Sequence, residues 1–172
     1  NFILMHPIAM IWMQCGLGKT SVTLYSILEL MYDYFLISKT LVIAPLRVCR
    51  TVWPEEVMAW EQFNGLRVSL VVGSREERLK ALKVDADIYV INRDVLDWLV
   101  NESGIKPFWD LCVIDEISSF KNSKSKRFKA LMSIRQTFTR MIGLTASPSP
   151  NSLEELYGEF KLMDYGERLG YR

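Results

Sequence analysis

Histidine is nearly missing from these 172 residues, and His6 alone cannot build a histidine-based triad or a multi-histidine metal centre. Cysteine is scarce too. Cys15, Cys49 and Cys112 form an odd, widely spaced set with no CxxC pair, which argues against a disulfide framework or a thiolate zinc site and fits a reducing compartment. Neither sign of charge is in excess: 21 basic against 20 acidic side chains leave a net charge of +1. Any affinity for nucleic acid must therefore come from a local patch. No apolar run reaches the length of a membrane span. The opening NFILMHPIAMIWM is apolar but has no basic leader, which favours a core strand with its approach over a signal peptide. Repeats and low-complexity linkers are lacking as well, so one domain over residues 1–172 is expected, large enough for a substantial core.

What is present is an ordinary globular composition, 49% hydrophobic and 24% charged. Short β-branched runs alternate with helical patterns. Strands are expected at 8–13, 40–44, 68–72, 88–91, 111–114 and 140–144, and helices at 52–63, 75–82, 94–100, 125–134 and 153–163. A further helix should carry Leu24, Ile27, Leu28, Met31 and Phe35 on one face. Pro54 falls near the first turn of its helix, where proline is tolerated, and Ser74 is placed to cap 75–82. The alternation implies parallel βαβ units and an α/β, doubly wound, mainly parallel sheet. Ligands of such sheets bind beyond the carboxyl ends of the strands.

Met13 to Leu24 read MQCGLGKTSVTL, between the first strand and the first long helix. Glycines at 16 and 18 let the backbone take left-handed angles and wrap around phosphate. Successive N–H groups and the helix N-terminus then favour an anion. Lys19 would reach the β- and γ-phosphates, and the Thr20 hydroxyl would ligate Mg²⁺. The expected cradle for ATP is thus Cys15, Gly16, Leu17, Gly18, Lys19, Thr20 and Ser21. Met13 stands where the pattern usually begins with glycine, a position that shapes the loop entry rather than the phosphate contacts.

The strand at 111–114 runs into Asp115-Glu116. An acidic pair at the end of a buried strand is costly unless it meets a cation or donors. Asp115 is suited to hold Mg²⁺, and Glu116 to polarise a water that attacks the γ-phosphate. Further on, GLTASP ends a strand in small hydroxyl residues that could hydrogen-bond this pair or a bound phosphate.

Together, GLGKT, IAPLRVCRTVWPEEVMAW, VIDEISSFKN and LTASPSPN resemble, in this order, motifs I, Ia, II and III of superfamily-two helicases and translocases. The continuation VCRTVWPEEVMAW, the Lys121-Asn122 pair and PNSLEELY are most similar to the Swi/Snf-like branch, its phage and bacterial members above all. The resemblance covers nearly the whole chain. It implies a three-layer, RecA-like P-loop lobe, with the LTAS strand lying between the phosphate-loop strand and the acidic strand. It also implies Lys19, Asp115 and Glu116 in catalysis, and Pro45, Leu46, Arg47, Lys121 and Asn122 on DNA. Thr145, Ala146 and Ser147 would couple nucleotide state to DNA. Ser118 stands where DEAH members carry histidine. The adenine-reading glutamine motif would precede Asn1, and a second RecA-like lobe would follow Arg172. The lobe alone should therefore turn ATP over barely at all. Location in the cytoplasm of a bacterial or phage-infected cell is expected, with no membrane partner.

Lys121, Lys124, Lys126, Arg127 and Lys129 follow the acidic strand, either as a solvated helix face or as a step for DNA phosphates. Trp53, Trp60, Trp98 and Trp109 sit in apolar patterns and are expected to pack the core. Two rival functions stay open: a small P-loop kinase, and a non-catalytic nucleic-acid-binding module of the same fold.

Overall fold

Helix α1 (Phe2–Met5) leads into β1 (Ile8–Trp12), and β2 (Thr40–Ala44), β3 (Val68–Val71), β4 (Ile88–Asn92), β5 (Leu111–Asp115) and β6 (Arg140–Thr145) follow in the chain. These belong to a computed structural model that describes residues 2–146 and 153–167, with the side chains of 153–155 left aside. Among the described residues the strands form one six-stranded sheet in the order β1-β6-β5-β2-β4-β3, with every pairing parallel. The LTAS strand thus lies between the phosphate-loop strand and the acidic strand, as the resemblance implied.

The helices are α2 (Lys19–Leu28), α3 (Leu46–Arg50), α4 (Val52–Ala59), α5 (Arg75–Leu82), α6 (Leu96–Asn101), α7 (Lys126–Ser133) and α8 (Leu153–Asp164). They cover the sheet on both faces. Successive strand residues point to opposite sides, so Val42 and Val113 join Leu24, Ile27 and Trp53 in one core. Leu41, Cys112 and Ile114 join Leu99, Phe128 and Leu131 in the other. Burial on both faces is why β2 and β4 read as continuous apolar runs rather than alternating ones. Ser74 caps α5 in a full capping box with Glu77.

Several expectations need correction. The helix that starts at Lys19 widens into a π-helical turn at Glu29–Asp33 and stops. Phe35 lies past it at φ 53 and is 80% exposed, so it does not extend the buried face. The helix expected over 52–63 breaks at Trp60, which is extended and half-exposed, before a 3₁₀ turn at Glu61–Phe63. Trp53, Trp98 and Trp109 are buried, but Trp60 is not a core residue. Its indole instead donates to Glu56 Oε2 at 3.2 Å. The short α3, directly after Pro45, was not expected. Asp115 and Thr145 are the last residues of their strands rather than residues beyond them.

Candidate functional site

Parallel strands place all their carboxyl ends on one edge, where Trp12, Ala44, Asn92, Asp115 and Thr145 finish. The phosphate-loop sequence leaves this edge from β1. Gly16 and Gly18 sit at φ 82 and φ 81. A Cβ on Gly16 would meet nothing within 4 Å, and one on Gly18 only Ser21 Oγ at 3.8 Å. Packing does not require glycine here; the left-handed backbone does. α2 then starts on Gly18 with no side-chain cap, so its first-turn N–H groups are not taken up in that way. Lys19 Nζ donates to the carbonyls of Met13 (2.8 Å) and Gln14 (3.2 Å), closing the loop on itself. Cys15 and Leu17 are exposed. Thr20 is half-buried, and its hydroxyl has no hydrogen bond among the described residues. Ser21 points elsewhere: its hydroxyl donates to Glu56 Oε2 on α4 at 2.8 Å, leaving its backbone N–H for the loop.

The acidic pair sits two strands away, across β6. Burial holds the Asp115 carboxyl above its ordinary range and Glu116 adds to that, while the Trp53 N–H and Lys19 pull it down. Lys19 and Asp115 are thus within electrostatic reach of one another. Glu116 takes a left-handed backbone, φ 66 and ψ 67, which is strained for a residue with a side chain. Two hydroxyls hold it there. Ser118 Oγ and Thr145 Oγ1 both donate to Glu116 Oε1, at 2.5 and 2.7 Å. Ser118, standing where a histidine is usual in DEAH members, therefore still engages the acidic pair. Ala146 forms a half-buried bend just beyond Thr145. Ser147 lies outside the described residues.

On the same edge, Pro45 caps α3 and exposes Leu46 and Arg47. Lys121 and Asn122 are exposed after the 3₁₀ turn Ile117–Phe120. Asn122 shapes the entry to α7: its Oδ1 accepts from Lys124 N–H at 2.9 Å, and its carbonyl accepts from Ser125. The lysines at 121, 124, 126 and 129 all face solvent. Arg127 is drawn to Asp94 at 3.3 Å.

Sequence reasoning missed two features. Arg50, Arg78 and Asn92 line a small cavity of about 150 Å³ on this edge. Arg50, one helical turn past Arg47, was legible; Arg78 and Asn92 needed the strand order. Trp53 was read as packing alone, yet its N–H donates to Asp115 Oδ2 at 3.0 Å. A buried indole generally needs an acceptor, and that was the available signal.

The residues fit a magnesium nucleotide. Among the described residues no three His, Cys, Asp or Glu side chains cluster as a metal site. Mg²⁺ takes one or two protein oxygens and completes its shell with phosphates and water. Thr20 Oγ1 and Asp115 Oδ1 each lack a hydrogen bond among the described residues and can serve as such oxygens.

Residues 9–167 match the SNF2-related domain. The chain belongs to that family. Relatives of this SNF2-related domain include protein p41 of Acyrthosiphon pisum secondary endosymbiont phage 1, 37% identical over 93% of this chain and 36% of that protein. The DNA excision repair protein ERCC-6-like of Bos taurus is 30% identical over 90% of this chain and 13% of its own length. The chain thus spans about a third or less of the curated relatives it matches here. In three dimensions it is similar to the Sulfolobus solfataricus SWI2/SNF2 ATPase core in complex with dsDNA, with a TM-score of 0.78, 26% identity, and coverage of 95% of this chain and 33% of that one. No helix among the described residues is long and apolar enough to cross a membrane.

Proposed function

We propose that this SNF2-related domain is the first RecA-like lobe, residues 1–172, of a DNA translocase that couples ATP hydrolysis to movement on DNA. One observation carries the reading: the phosphate loop, the Asp115–Glu116 pair, Thr145 and the Pro45–Arg47 tip share a single edge of the sheet. Nucleotide binding and DNA contact would then act on the same few strand ends. The dsDNA complex of the Sulfolobus core supports DNA as the polymer.

Lys19 would exchange the carbonyls of Met13 and Gln14 for β- and γ-phosphate oxygens, an exchange of neutral for charge-assisted hydrogen bonds. Thr20 and Asp115 would hold Mg²⁺, which when bound neutralises phosphate charge. Glu116, held through Oε1, would use Oε2 to orient the attacking water and take up its proton. A second lobe would close over the site and exclude water. Arg47, with Lys121 and Asn122, would meet DNA phosphates without reading sequence.

The test is ATP turnover by the full natural protein, with and without duplex DNA. Stimulation by DNA should be lost as salt rises, because phosphate contacts release counterions. Arg47→Ala should flatten the salt dependence while leaving nucleotide affinity alone. Turnover indifferent to DNA, or phosphate transferred to a metabolite, would overturn the proposal.

A further inference from the structure

Trp53 is wholly buried, 0% exposed, among the apolar residues beneath α4. Filling that space needs only a ring. The indole does more, because its N–H donates to Asp115 Oδ2 at 3.0 Å. This is not simply what every buried tryptophan in the domain does. The indole nitrogens of Trp98 and Trp109 are also buried, and neither has a hydrogen-bond partner among the described residues. Trp53 alone of these three spends its donor on a carboxylate.

We infer that Trp53 is a positioning residue for the metal-binding carboxylate, resting on the reading of Asp115 given above. Its N–H engages Oδ2, fixes the rotamer of Asp115 and leaves Oδ1 for the cation. A neutral donor suits this task. A lysine or arginine in its place would neutralise the carboxylate and compete with Mg²⁺, whereas an indole orients it and leaves its full negative charge. The helix that delivers Trp53 is itself fastened to the phosphate loop. Glu56, on the same α4, accepts from Ser21 at 2.8 Å and from Trp60 at 3.2 Å. One short helix therefore grips both halves of the nucleotide site.

The experiment uses the full natural protein and reads Mg²⁺ affinity at a saturating non-hydrolysable ATP analogue, independently of turnover. Trp53→Phe should weaken Mg²⁺ binding about threefold to tenfold, the scale of a typical net hydrogen bond, because the indole acts on the cation only through the carboxylate. Binding of the analogue without Mg²⁺ should stay unchanged. Should the phenylalanine variant fail to fold, benzothienylalanine at position 53 keeps the bicyclic shape and lacks only the N–H. It should show the same loss. With 5-fluorotryptophan labelling, the Trp53 resonance should shift on adding Mg²⁺ to the analogue complex. Asp115→Asn serves as the reference. If Asp115→Asn weakens Mg²⁺ binding but neither change at Trp53 does, the positioning role is overturned and the metal reading stands. If Asp115→Asn has no effect either, the assignment of Asp115 itself falls.

Discussion

Thr145 and Glu116 are joined across neighbouring strand ends: the threonine hydroxyl donates to Glu116 Oε1 at 2.7 Å. Thr145 is wholly buried and closes β6, while Glu116 follows the last residue of β5. Ser118 lands on the same oxygen, so Oε2 is the one without a hydrogen bond among the described residues. The arrangement presents one carboxylate oxygen while the other is held.

Thr145→Val keeps the shape of the side chain and removes this hold. Single-turnover kinetics in the full natural protein should show slower hydrolysis with MgATP affinity retained. Glu116→Gln should be more severe, at least ~10²-fold in turnover, the scale of a lost general base. Equal rates for the glutamine variant and the wild type would mean that another group positions the water.

Lys19→Ala removes the ammonium that now rests on Met13 and Gln14. Charge-assisted phosphate contacts are worth roughly 1.5–3 kcal/mol, so ATP affinity should fall about tenfold or more. Titration calorimetry giving the same dissociation constant for both proteins would remove the loop from the nucleotide site.

Asp115 should cost the fold stability at neutral pH. Burial raises its carboxyl above the ordinary value of 3.8, so near that value the folded chain retains a proton that the unfolded chain has released. Stability then falls as pH rises through the raised value, and the penalty is complete above it. Asp115→Asn should raise the melting temperature at neutral pH, and the gain should fade as pH drops toward 4. Thermal melts across that range check it; a pH-independent difference would contradict the assignment of the cost to ionisation.

Gly158 packs α8 onto the loop after the acidic strand. A Cβ there would come within 2.2 Å of the Lys121 carbonyl oxygen, a backbone atom that cannot easily give way. Gly158→Ala should destabilise the protein by about 1–3 kcal/mol, the range for overpacked sites. Chemical denaturation is the measurement, and an unchanged midpoint would show that α8 can shift freely.

Most of the fold was legible because the inner strands β2, β4, β5 and β6 are buried on both faces and read as short apolar runs between turn signals. The site was legible where one stretch of chain carries it, as with Gly16 to Thr20. It was not legible where partners come from separate elements. Glu56 could not be matched to Ser21, nor Trp53 to Asp115, because sequence does not show which helices lie side by side. Phe35 and Trp60 failed for a different reason. Their spacing fits a helix, but the backbone leaves the helix before reaching either one.

The sheet order also governs when the nucleotide strand can form. Among the described pairings, β1 is bonded only to β6, with Ile8 opposite Met141 and Trp12 opposite Thr145. During synthesis, β1 therefore leaves the ribosome long before β6, its neighbour among the described strands. At about 5–20 residues per second that delay is on the order of ten seconds. Such long-range pairing also slows folding from the denatured state. The phosphate loop, hung between β1 and α2, should be among the last parts of the domain to take shape, in the cell as in a refolding experiment.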